Sequence, residues 1–185
     1  MIIKKSDANS IDLTVEKLLQ GDIVIIPTDT VYGFSGIVNS DFSSDVKIRI
    51  IKGREEAKPF IQLIGKPEDI FNYTKDEIPE NLFSKWPGAL TIIVNDLNGG
   101  TTAFRCPGDE WLRTVINKVG YPLYSTSVNK SGNPILENIE DIKNVFQSEV
   151  PLIVSDGDKN NALPSTLVKI EKDRFSVLRQ GSVVL

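Results

Sequence analysis

Apolar runs in this chain are short, about five residues at most, and they alternate with stretches of helical spacing. That pattern limits the fold more than any other feature. Runs this short suit buried strands and do not suit membrane-spanning helices. Residues 22–27, DIVIIP, and 31–38, VYGFSGIV, read as two strands. FIQLI at 60–64, ALTIIV at 89–94 and PLYSTSV at 122–128 continue the series. PLIVS, STLVKI and FSVLR close it. Between them, helices are expected at about 10–20, from Ser43 or Ser44 to Gly53, at 110–119 and at 139–146. Residues 68–86 read as helix in pieces, broken at Pro79. In the second helix, Val46, Ile50 and Ile51 are expected to face inward. The turn at Asn98-Gly99-Gly100 makes residues 102–106, TAFRC, the hairpin partner of 89–94. Hairpins interrupting an α/β alternation imply a twisted, mixed sheet with packed helices.

The 185 residues suit one domain, 1–185, with no repeat or linker. A composition of 40% hydrophobic and 25% charged residues is that of a globular protein. The net charge of −4 argues against a generic nucleic-acid binder, which is more often basic. A lone cysteine, Cys106, excludes an internal disulfide and fits the reducing cytoplasm. It reads as a small buried hydrophobe. No histidine is present. Ser-His and Cys-His nucleophile pairs are therefore excluded within the chain, and a zinc site is disfavoured. Any chemistry rests on Lys, Arg, Asp, Glu, hydroxyls and backbone groups.

Four polar clusters break the pattern of their elements. PTDT, at 27–30, ends an aliphatic strand where ligands of open α/β sheets often lie, although a simple turn is the commoner use of such residues. KGREEAKPF puts Lys52, Arg54 and Lys58 in an expected loop, where two cations on one side make a phosphate or carboxylate clamp. Solvated charge near a helix C-terminus is the commoner case there too. Arg105, in TAFRCPG, is either an edge-strand surface residue or an anion binder. Ser125, Ser127 and Asn129 alternate and so share one face, either solvated or lining a polar cavity. Ser165 and Arg179 are weaker features of the same kind. No G-x-x-x-x-G-K-[ST] or G-x-G-x-x-G fingerprint occurs.

Taken in order, PTDTVYG, KGR…KPF, PGALTIIV, AFRCPG, STSVNKSG, STLVKI and LRQG resemble the YrdC-like family of threonylcarbamoyl-AMP synthases, in its short form, over nearly the whole chain. The resemblance implies a twisted α/β sheet around a deep basic cavity. It implies the conversion of L-threonine, bicarbonate and ATP to threonylcarbamoyladenylate and pyrophosphate. The product would feed the t6A modification of tRNA through a separate threonylcarbamoyl transferase. By this resemblance Lys52 and Arg54 hold phosphates as the catalytic pair, and Thr101, Ser127, Asn129 and Arg179 also serve ATP. Thr30, Arg105, Ser125 and Ser165 serve L-threonine, with Lys58 and Tyr32 as lesser candidates. Mg²⁺ would arrive on the phosphates, with no protein ligand assigned. Departures from the family pattern are Val128, Phe60, Ala89, Gln180 and Ile135, the last standing where relatives often carry a small hydroxyl. Beside a degenerate, catalytically silent member, against which the intact set of polar positions counts, two rival readings follow from the same resemblance. One is a double-stranded RNA or tRNA-binding module of the same fold, against which the negative charge counts. The other is a carbamoyl-phosphate activity of larger hydrogenase-maturation proteins, whose extra cysteines and length this chain lacks.

Overall fold

The structure, a computed structural model, describes residues 1–53, 59–172 and 174–185. In chain order the elements are β1 (Ile2–Lys4), α1 (Ser10–Leu19), β2 (Val24–Ile26), β3 (Gly33–Ile37), α2 (Ser44–Lys52), β4 (Ile61–Leu63) and α3 (Glu80–Phe83). Then come β5 (Leu90–Asn95), β6 (Thr101–Arg105), α4 (Glu110–Val119), β7 (Leu123–Ser127), α5 (Ile139–Phe146), β8 (Leu152–Ser155), β9 (Thr166–Glu171) and β10 (Arg174–Arg179). The strands form one mixed sheet in the order β1-β8-β2-β3-β7-β4-β6-β5-β9-β10. The expected hairpin is present: β5 and β6 pair antiparallel, with Ile93 opposite Ala103. Among the described residues no helix is long and apolar enough to cross a membrane.

Strand alternation sends successive side chains to opposite faces. On one face Val24, Ile26, Ile37, Leu63 and Leu123 pack against Leu18 of α1 and Leu112, Val115 and Ile116 of α4. Asp109 caps α4 by accepting a hydrogen bond from the Leu112 amide at 3.1 Å, which fixes where this helix begins. On the opposite face Ile25, Phe34 and Ile153 pack against Ile48 of α2 and Ile142 and Phe146 of α5. Further along that face, Ile92, Val94, Phe104, Val168 and Ile170 bury Leu82, Trp86 and Cys106. Burial pushes the Cys106 thiol up to about 12, which makes it the inert hydrophobe expected.

Two readings need correction. The buried face of α2 is Ser44, Ile48 and Lys52, with Ile51 packed beside it as expected, while Val46 and Ile50 are exposed. Buried positions four residues apart make a narrow stripe, and residues 46 and 50 lie on the opposite side of the helix. The stripe is set by β3. A Cβ added at Gly36 would lie 2.6 Å from Ile23 Cδ1 and 2.7 Å from Ser44 Cβ, so only small residues fit at this crossing. Gly36→Ala is accordingly expected to cost about 1–3 kcal/mol through overpacking. Urea unfolding checks this as a lower midpoint with an unchanged slope. The second correction is Lys52, which is the last residue of α2 and not part of an extended loop. Arg54 and Lys58 lie outside the described residues.

Candidate active-site cavity

The helices cover only part of the sheet. Cross-strand register puts Ser125 beside Ile61, Ile61 beside Ala103 and Ala103 beside Ile93. Leu167 lies beside both Thr91 and Arg179. These partners share the face on which α1 and α4 pack, but they lie beyond those helices. The uncovered stretch is a cavity of about 400 Å³. Its polar lining includes Thr28, Thr30, Ser125, Ser127 and Ser165 with Arg105 and Arg179, and its apolar wall includes Ile61, Ile93, Ile135 and Leu167. Residues from β4, β5, β6, β7, β9 and β10 meet here because partners in register face the same way.

The PTDT segment overhangs one end of the cavity and is held in place from several sides. Thr28 Oγ1 donates to the Val31 carbonyl at 2.8 Å, accepts from the Thr30 amide at 3.0 Å and lies 2.9 Å from Thr30 Oγ1. The turn reading and the ligand reading are therefore compatible: Thr28 makes the turn, and Thr30 faces the cavity. Tyr32 is fully buried. Its hydroxyl donates to the Gly157 carbonyl at 2.6 Å and accepts from the Asp156 amide at 2.8 Å. Desolvation by burial raises its pKa above the usual phenol range, so it is a fixed neutral strut.

Arg105 ends β6 as a buried cation with three different partners. Nε donates to the Gly88 carbonyl at 3.2 Å, Nη1 to Thr30 Oγ1 at 2.9 Å and Nη2 to Asp29 Oδ1 at 2.5 Å. The edge-strand surface alternative for this residue is thereby removed. Asp29 was not singled out as a site residue in the sequence. It belongs to the PTDT cluster, but no local signal marks its pairing with Arg105, which lies 76 positions away.

Arg179 reaches the opposite side of the cavity from an irregular step in β10. Its Nε and Nη2 donate to the Ser165 carbonyl at 3.3 and 2.9 Å. Ser165 is itself buried, and its hydroxyl lies 2.7 Å from Thr91 Oγ1. Burial, and secondarily repulsion from Arg105, lowers the Arg179 pKa from its ordinary value. Two guanidinium groups close enough to repel each other, one with no ion pair among the described residues, make a site for anions.

Ser127, Asn129 and Lys52 form a separate knot beside the cavity. Lys52 Nζ donates to the Ser127 carbonyl at 2.5 Å, to the Asn129 carbonyl at 3.0 Å and to Asn129 Oδ1 at 2.8 Å. Ser127 Oγ also donates to Asn129 Oδ1, at 2.9 Å. Of these three residues only Ser127 lines the cavity as described. Thr101 is exposed at the start of β6, on the same face as Ala103 and Arg105 but outside the lining.

The fold is a mixed α/β sheet whose uncovered face carries a hydroxyl-lined cavity with two arginines, a lining chemically suited to anions. Residues 16–181 match the Sua5–YciO–YrdC family model, described as "Telomere recombination", and the chain belongs to that family. Human threonylcarbamoyl-AMP synthase is 27% identical over 184 residues, covering 90% of this chain. The chain spans 65% of the length of that relative. The threonylcarbamoyl-AMP synthase of Pseudoalteromonas translucida is 28% identical over 176 residues, covering 88% of this chain and 94% of its own length. Among solved structures, Pyrococcus abyssi Sua5 complexed with L-threonine superposes with a TM-score of 0.86 at 25% identity. It covers 98% of this chain, which spans 57% of the solved one.

Proposed function

We propose that this chain is a threonylcarbamoyl-AMP synthase, joining L-threonine, bicarbonate and the AMP moiety of ATP. The observation that carries the reading is the pair of arginines on one hydroxyl-lined cavity. Arg105 is compensated by Asp29, whereas Arg179 forms no ion pair among the described residues. Its relatives of that name and the L-threonine complex of a family member support the assignment of substrates.

In this reading the threonine carboxylate sits against the Arg105 guanidinium, with its hydroxyl and amine met by Thr30, Ser125 and Ser165. The triphosphate meets Arg179, and Lys52, Arg54, Thr101, Ser127 and Asn129 are further candidates for ATP. The threonine amine adds to bicarbonate carbon and loses water to give a carbamate. A carbamate oxygen then attacks the α-phosphorus, and the bond to the pyrophosphate oxygen breaks. No step requires a protein nucleophile, which suits a chain without histidine. The protein's contribution is positioning and charge compensation. Among the described residues no cluster of three carboxylate or thiol groups could hold a metal. A magnesium ion brought in with ATP would neutralise phosphate charge. Transfer to tRNA falls to a separate transferase.

A site that pairs the substrate hydroxyl rejects the isostere that lacks it. Valine is expected to be turned over with kcat/KM lower by roughly 10⁴-fold. Mass spectrometry of the adenylate formed from ¹³C-bicarbonate, with threonine or valine as the amine, tests both parts. A labelled threonylcarbamoyl adenylate with little valine counterpart supports the reading. Equal use of valine contradicts the pocket, and no adenylate with either contradicts the function.

A further inference from the structure

We infer that Asp29 is a positioning residue for Arg105, fixing its guanidinium so that this cation takes a monoanionic carboxylate and leaves the polyanion to Arg179. The inference rests on the synthase reading above. The geometry is that of a double clamp. Asp29 Oδ1 accepts from Arg105 Nη2, and Asp29 Oδ2 accepts from the Gly108 amide at 2.9 Å. Both carboxylate oxygens are therefore held, one by the cation and one by the segment that leads into α4. The space is closed around it: a Cβ added at Gly108 would lie 3.0 Å from Asp29 Oδ2. Arg105 is equally fixed, since Nε and both Nη atoms each have a partner. A guanidinium carries five N–H groups, so one further N–H remains on each Nη. A carboxylate that reaches both is held at two points.

Asp29 is absent from the cavity lining, and the Arg105 and Asp29 side chains are 6% and 20% exposed. Asp29 thus acts through Arg105 and not on the ligand. Its charge offsets one of the two arginines, making the cavity electrostatically uneven. The Arg105 side is nearly neutral before ligand binds, and the Arg179 side is not. A triphosphate is drawn to the less compensated cation, and the carboxylate end of an amino acid fits the other.

Asp29→Asn keeps the shape but turns one acceptor into a donor. That donor must face either the Arg105 Nη2 or the Gly108 amide, so one of the two bonds is lost. Losing a charge-assisted bond predicts a threonine KM raised roughly 10- to 100-fold, with the ATP KM nearly unchanged. If Asp29 acts through Arg105, the same change adds little in an Arg105→Lys background. ¹⁵N NMR of the wild-type Arg105 side chain supplies a readout independent of turnover. Slow rotation about the Cζ–Nη bonds is expected in wild type and is expected to be lost in Asp29→Asn. Fast rotation in wild type overturns the inference, even if the variant does not fold. So does an equal rise in both KM values, or full additivity with Arg105→Lys. Should wild type lack threonine-dependent turnover, the substrate assignment fails, and the NMR result alone decides whether Asp29 positions Arg105.

Discussion

If Arg105 takes the threonine carboxylate as proposed, replacing it with lysine is expected to lower kcat/KM for L-threonine by roughly 10²- to 10⁴-fold, the loss of two charge-assisted hydrogen bonds. Lysine preserves the positive charge, so the effect isolates the planar fork. Arg105 serves three partners at once, on three separate segments: Gly88, Thr30 and Asp29. A single ammonium on a flexible stem cannot hold all three and still present a bidentate edge. The ATP KM is expected to stay close to wild type, because Arg179 and its Ser165 contacts are untouched. Steady-state kinetics with each substrate varied in turn checks the asymmetry. Equal losses for threonine and ATP would mean that Arg105 supports the cavity as a whole.

Gly181→Ala is expected to weaken ATP use by roughly 10- to 100-fold while the chain still folds. The requirement for glycine here is spatial. An added Cβ would lie 2.2 Å from the Pro164 carbonyl oxygen and 2.6 Å from the Thr166 nitrogen, both backbone atoms that cannot swing aside. Residues 179–183 must move instead. That segment is fastened through Thr166 Oγ1, which accepts from the Gly181 amide at 3.0 Å and the Val183 amide at 3.1 Å and donates to the Val183 carbonyl at 2.6 Å. Displacing it pulls Arg179 from the Ser165 carbonyl and out of register with the cavity. A raised ATP KM with a modest loss of stability is the expected signature. An ATP KM unchanged in a folded variant would show that Arg179 does not need this anchor.

Much of the architecture is legible in local sequence because the elements carry their own signals. The hairpin of β5 and β6 announces itself through alternation on both sides of Asn98-Gly99-Gly100, and α4 through its Asp109 cap and the left-handed Gly120 that follows it. Three features are not legible. Strand β1 is three residues long, and its partner β8 lies some 150 positions away. No nearby pattern distinguishes it from a frayed terminus. The inward face of α2 is decided by the space over Gly36, so its Val46 and Ile50 mislead. The cavity itself arises because α1 and α4 leave part of the sheet uncovered, a property of helix placement that no single segment contains. The candidate residues were nevertheless recognisable. Polar groups at alternate positions of buried strands, such as Ser125 and Arg105, have no place in an apolar core. What the pattern lacks is the pairing among them, which is why the contacts of Thr28, Thr91 and Asp29 emerge only in three dimensions.

The most direct test of the central claim is pyrophosphate release from ATP, measured with and without L-threonine and bicarbonate. The account predicts release only when both co-substrates are present, because the attacking oxygen belongs to the carbamate they form together. Release from ATP alone at the same rate, or no release under any combination, would contradict it.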